Sequence, residues 1–114
     1  MNTNTNHEIS LQDAIEMTTR YRANRPSDFP VCETFELAAI QKLLATSGCE
    51  SVRIYYGMKE NMESHAILVA VNSSGEDILP EAGAASSAGG EVIILEDSYR
   101  CPPLCPKGSP LNDQ

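Results

Sequence analysis

The sequence predicts an α+β domain: two N-terminal helices packed on a small antiparallel β-meander of three to four strands. Three observations carry this. Residues 52–57 (VRIYYG) alternate like a half-buried strand, with Val52, Ile54 and Tyr56 on one face and Arg53, Tyr55 and Gly57 on the other. Residues 66–71 (AILVAV) are apolar on both faces, as a covered central strand requires. Leu37, Ile40, Leu43 and Leu44 recur at helical spacing. The polar stretch 58–63 between the two strands is short enough for a hairpin, so antiparallel pairing is expected. One face of the second strand, Ala66, Leu68 and Ala70, is small enough for a helix to approach closely. The other, Ile67, Val69 and Val71, would be an interaction surface if left bare.

In chain order, residues 1–8 read as a disordered leader rich in Asn and Thr. Ser10 is placed to cap the first helix, with Asp13 in its first turn and Leu11, Ala14, Ile15, Thr18 and Tyr21 or Arg22 along one stripe. Arg20, Arg22 and Arg25 gather at its end, where cations complement the helix dipole, and Pro26 stops it. Pro26 and Pro30 favour an extended connection, pinned by Phe29. Thr34 is the candidate cap of the second helix and Gly48 its left-handed terminus. Residues 72–77 have turn composition, and 78–80 add a short extended piece. Residues 81–90 (EAGAASSAGG) read as a loop of small residues, without the Lys-Ser or Lys-Thr ending of a phosphate-binding loop. Residues 92–95 (VIIL) read as the third strand. The domain is expected to span residues 9–100, with residues 101–114 as a Cys/Pro-rich tail packed on it or extending from it.

Composition narrows function by exclusion. A chain of 114 residues buries enough surface to fold as one domain without a metal or a disulfide. Its formal charge of −8 works against binding to nucleic acid or anionic membranes. No apolar run is long enough to cross a bilayer and residues 1–10 show no secretory signal, which predicts a cytoplasmic protein with reduced thiols. An enzyme should show a nucleophile beside a base, paired carboxylates or a cofactor cradle. No G-x-S-x-G or H-E-x-x-H pattern is present, so no catalytic residue is assigned and the chain reads as more plausibly not an enzyme. Glu60, Glu63 and His65 gather near the hairpin loop, and a solvated turn accounts for them better than an acid–base pair. Arg53, Tyr55 and Tyr56 have the chemistry to stack on RNA bases but lack a second basic strand beside them.

Residues 101–106 (CPPLCP) place two thiols four positions apart in a stiff, proline-rich frame. Three readings compete. Cys101 and Cys105 are half of a zinc site completed by Cys32 and Cys49, with His65 in reserve. Or they form a reversible disulfide, Arg100 favouring the thiolate of Cys101. Or they are small hydrophobes that tack the tail onto the domain, the commonest fate of unpaired cysteines.

Through RIYYG, HAILVAVN and CPPLCP the chain resembles a group of small bacterial α+β proteins that end in a CPPxCP-type motif. The resemblance carries no activity with it and adds weight to the tail. Taken together, these features point to a non-enzymatic binding or protein-interaction module. Its partner would be another protein or a second copy in a homodimer, met through a sheet face or edge. The alternative is a thiol-based redox or metal-binding protein that uses Cys101 and Cys105.

Overall fold

A computed structural model describes residues 6–81 and 92–112. Most of the expected leader at 1–8 and of the small-residue loop at 81–90 therefore lies outside the described residues. Among the described residues the fold is α+β, with two helices, a three-stranded antiparallel sheet and a separate two-stranded antiparallel ribbon. No helix among the described residues is long and apolar enough to cross a membrane.

Helix α1 spans Leu11–Asn24 and starts as its sequence dictates. The Ser10 hydroxyl accepts from the Asp13 N–H at 3.0 Å, and Asp13 lies in the first turn. It ends at Arg25, whose extended backbone (φ −72, ψ 144) is what a following proline imposes. No residue of α1 is buried; Ala14, Ile15 and Thr18 are half-buried. Polar contacts near its C-terminal end tie the helix down. Tyr21 donates to the Pro30 carbonyl at 2.6 Å, Arg22 to the Leu111 carbonyl, and Arg25 to the Phe29 carbonyl at 2.6 Å. Arg22 and Arg25 thus hold backbone carbonyls.

The segment expected to lead straight into the second helix first forms strand β1, Cys32–Thr34. Thr34 is consequently in a strand and caps nothing. Helix α2, Leu37–Leu44, begins after Glu36, which makes no side-chain capping bond. Gly48 follows at φ +85, the left-handed conformation that glycine adopts without a Cβ penalty.

Strands β2, Ser51–Met58, and β3, Ser64–Val71, form the expected hairpin, in register from Ser51↔Val71 to Met58↔Ser64. Its tip is a three-residue loop. The Met62 N–H bonds the Lys59 carbonyl and the Lys59 N–H bonds the Glu63 carbonyl, both at 2.9 Å, with Met62 in the left-handed region at φ 73. A turn at residues 72–76 follows, built on the Asn72 side chain, which accepts from the Ser74 and Glu76 N–H groups at 2.9 Å each. It delivers strand β4, Asp77–Ile78, to the other edge of β3.

Residues 92–95 do not form the expected third strand. Only Leu95 pairs, in an isolated bridge to Leu68. The reason is space: β4 already occupies that edge of β3 at Ala70 and Val71. Strand β5, Tyr99–Cys101, pairs antiparallel with β1, matching Cys32↔Cys101, Glu33↔Arg100 and Thr34↔Tyr99. The stretch expected as a tail therefore begins inside the fold, and Cys101 is fully buried.

The core gathers Leu43 of α2, Leu68 and Ala70 of β3, and Ile93, flanked by Phe35, Ile40 and Ala66. The small face of β3 admits α2, as its alanines allow. The opposite face is not bare: Val69 and Val71 are both buried. Leu43, with no exposed surface, anchors the cluster. Leu43→Ala is expected to lower unfolding free energy by about 2–5 kcal/mol, whereas Leu44→Ala next to it, on a side chain 51% exposed, should change it by under about 1 kcal/mol. Urea titration followed by circular dichroism distinguishes the two.

Candidate functional site

Two edges of the three-stranded sheet have opposite fates, and the hairpin loop sets which backbone groups each presents. Lys59 and Glu63 form a hydrogen-bonded pair at the tip. Antiparallel ladders alternate, so Gly57, Tyr55 and Arg53 bond to β3 while Val52, Ile54 and Tyr56 turn their N–H and C=O groups outward. On β3 the same alternation turns Ala66, Leu68 and Ala70 toward the far edge. Three different partners meet that side of β3. Ala70 lies opposite Ile78, Leu68 exchanges bonds of 2.9 and 3.0 Å with Leu95, and the Ala66 N–H donates to both carboxylate oxygens of Glu33 at 3.2 and 3.1 Å. Glu33 also accepts from the Ser98 hydroxyl at 2.6 Å. A side chain here takes the place of a strand.

The outer edge of β2 has no such cover among the described residues. Its sheet order is β2-β3-β4, and six of its first six residues are exposed, Ile54 by 53% and Tyr56 by 84%. Arg53 and Tyr55, on the opposite face, both bind the Asp77 carboxylate. Of the three residues behind the base-stacking idea, Arg53 and Tyr55 are thus occupied by one aspartate, while Tyr56 lies exposed on the other face.

Beside the hairpin tip a cleft of about 490 Å³ opens between α1 and β2, walled by Tyr21, Phe29, Tyr56 and Met58, with Glu33, Ser64 and His65 among its polar groups. Gly57 lines it as well, and a Cβ there would meet the Ile67 side chain at 2.7 Å from Cδ1. The buried His65 ring sits between two carboxylates. Its Nε2 is 3.3 Å from Glu63 Oε1 and its Nδ1 is 3.1 Å from Glu96 Oε2. The second approach is close but off-line, so neither atom gains a hydrogen bond from it. Lys59 Nζ lies 3.5 Å from the same Glu96 oxygen. Arg100 completes the cluster, donating to the Ser64 carbonyl at 3.1 Å and the Asp28 carbonyl at 2.8 Å, with Glu63 at 3.6 Å.

The hydrogen bond from His65, joined by the Arg100 charge, holds the Glu63 carboxyl below the usual carboxylate range, and burial pushes the Tyr21 phenol up. The cluster works as a clasp between the hairpin tip and the β1–β5 ribbon. The sequence favoured a solvated turn for Glu60, Glu63 and His65; His65 is instead buried and paired with Glu63, and Glu33, Glu96 and Arg100 join it from distant positions with no local pattern. Glu60 is exposed and takes no part in the clasp contacts.

The four cysteines divide. Cys101 and Cys105 are joined in a disulfide, with Cα atoms 4.6 Å apart. In that state their sulfurs are not thiolates and do not ligate zinc. Among the described residues no group of three or more His, Cys, Asp or Glu side chains is arranged to hold a metal ion. Cys32 is a free, half-buried thiol directly opposite Cys101, and burial, followed by the Glu33 charge, pushes its pKa up. Cys49 is free as well but packs against the core cluster, its thiol donating to the Ser51 carbonyl at 3.4 Å. Arg100, expected beside the Cys101 thiol, is turned instead toward the hairpin.

A depressed carboxylate pKa in the folded state stabilises the protein above the unfolded Glu value of about 4.3, and that contribution is lost as pH falls through the folded value. Glu63→Gln should therefore flatten the fall in stability on acidification from neutral pH, its curve meeting that of the wild type at the acid end. Urea midpoints across that range test this.

No protein-family model matches this chain, and no curated protein or solved structure matches it significantly.

Proposed function

We propose that this chain is a protein-interaction module that pairs through the outer edge of β2, and that its partner is a second copy of itself. The observation that carries the reading is an eight-residue edge strand with one charged side chain, Arg53, and no covering element among the described residues. Natural edges are blunted by charged side chains, lysine above all, by proline, short length or a bulge, or by a covering element. Ser51–Met58 contains no lysine and no proline, and it pairs with β3 along its whole length without a break in register.

The strand is also self-complementary. A two-fold axis through Ile54, perpendicular to the sheet, keeps residues of like parity on one face. It sets Val52 opposite the partner's Tyr56 and Arg53 opposite the partner's Tyr55. The outward N–H and C=O groups of Val52, Ile54 and Tyr56 then meet their counterparts. Cross-strand pairs of an aromatic with a β-branched residue stabilise such a joint. Charge favours the same strand: the chain as a whole carries −8, yet Ser51–Met58 has no acidic residue and one arginine. A joint of this size belongs with small, reversible interfaces of under about 1,200 Å².

Sedimentation velocity over a concentration series tests the reading. Wild type should pass from monomer to dimer at micromolar concentrations. Ile54→Lys, which sets two like charges opposite each other at the axis, should remain monomeric. Ile54→Pro removes an N–H that points away from β3, so it should block dimerisation with the β2–β3 hairpin intact by circular dichroism. A wild type that stays monomeric throughout the series, or a dimer indifferent to both variants, overturns the reading.

A further inference from the structure

The register of the β1–β5 ribbon gives Cys101 a second disulfide partner. Cys32 and Cys101 lie directly opposite each other in an antiparallel pair, so their side chains share one face. Directly opposed Cα atoms in such a pair are about 4.5–5.5 Å apart, inside the span of about 4.4–6.8 Å that a disulfide bridges. Glu33 and Arg100, the next pair along, face the hairpin through their bonds to Ala66 and Ser64. Cys32 and Cys101 therefore project from the other side. The Val31 N–H holds the Cys101 carbonyl at 2.7 Å, which pins Cys101 against β1. The present partner, Cys105, is exposed, whereas Cys101 is fully buried.

We propose that Cys101 exchanges disulfide partners within the chain. The Cys32 thiolate attacks Cys101 Sγ; a Cys32–Cys101 bond forms, the Cys101–Cys105 bond breaks, and Cys105 leaves as a thiolate that takes up the proton Cys32 released. Electrons balance inside the chain, with no outside oxidant or reductant. The exchange locks β1 to β5 covalently, opens the CPPLC loop, and moves the reactive thiol from a half-buried position to the surface. Cys105 is then the site at which a disulfide-bearing molecule would meet the protein. Cys49, packed in the core cluster, stands outside the relay and serves as its internal control.

Oxidised wild type is incubated at mildly alkaline pH, quenched with acid, alkylated, and mapped by mass spectrometry without reduction. Two linkages are expected: Cys101–Cys105 with Cys32 alkylated, and Cys32–Cys101 with Cys105 alkylated. Each carries two alkylated thiols per chain, Cys49 being one in both, because four cysteines less one disulfide leave two. A map in which Cys105 is never alkylated at that count overturns the proposal. Cys105→Ser, checked for folding by circular dichroism, supplies the second readout. Mild oxidation of the dilute variant should remove two hydrogens from its mass and link Cys32 to Cys101. A folded variant that keeps three free thiols, or that crosslinks only between chains, also overturns it.

Discussion

Each N–H that β3 turns away from β2 needs an acceptor, because this strand is buried along most of its length and an unpaired buried donor costs about 1–3 kcal/mol. No single strand supplies those acceptors. Ala70 lies against the two-residue β4, Leu68 uses the lone bridge at Leu95, and Ala66 uses the Glu33 carboxylate. The last solution organises more than one bond. Glu33 belongs to β1, so satisfying Ala66 fastens the ribbon to the sheet, and its cross-strand neighbour Arg100 reaches the same hairpin through Ser64 and Asp28. The polar clasp around His65 grows from this requirement.

That origin also sets what surrounds the His65 ring. A general base needs a free nitrogen within reach of a substrate proton. Carboxylates sit on both sides of the His65 ring, and no serine, threonine or cysteine donates to it among the described residues. Within the cluster His65 Nδ1 and Glu96 Oε2 approach without a hydrogen bond, and the backbone groups of β2 that face away from β3 meet no partner strand among the described residues.

Local pattern was legible wherever structure is local. Alternation in residues 52–57, the unbroken apolar run at 66–71 and the helical spacing through Leu43 each specify an element from neighbours alone, and the hairpin, α2 and the capped start of α1 follow from them. What sequence could not show depends on distant partners. β1 and β5 are three residues each, too short for any periodicity, and become strands because they meet. The apolar residues 92–95 were misleading because nothing in them reveals that β4 has filled the edge they would take. At the site, Glu63 and His65 are two positions apart and visible as a pair; Glu33 and Glu96 close on the same neighbourhood from far along the chain in both directions. CPPLCP announced chemistry, and spacing alone left the choice between metal, disulfide and packing open.

The pairing of β1 with β5 bears on the order in which the chain can assemble. Helix α2 and the hairpin are closed by contacts between near neighbours, and a chain can make them as soon as residue 71 is available. Cys32 must wait for Cys101, 69 positions later by their own numbers (101 − 32), and contacts at such separations form slowly because the intervening loop has to be closed first. During synthesis the hairpin would therefore stand for a time with the Glu33 strand unpaired and β2 already open. The outer edge of β2 is thus laid down before the ribbon that sets Cys32 opposite Cys101.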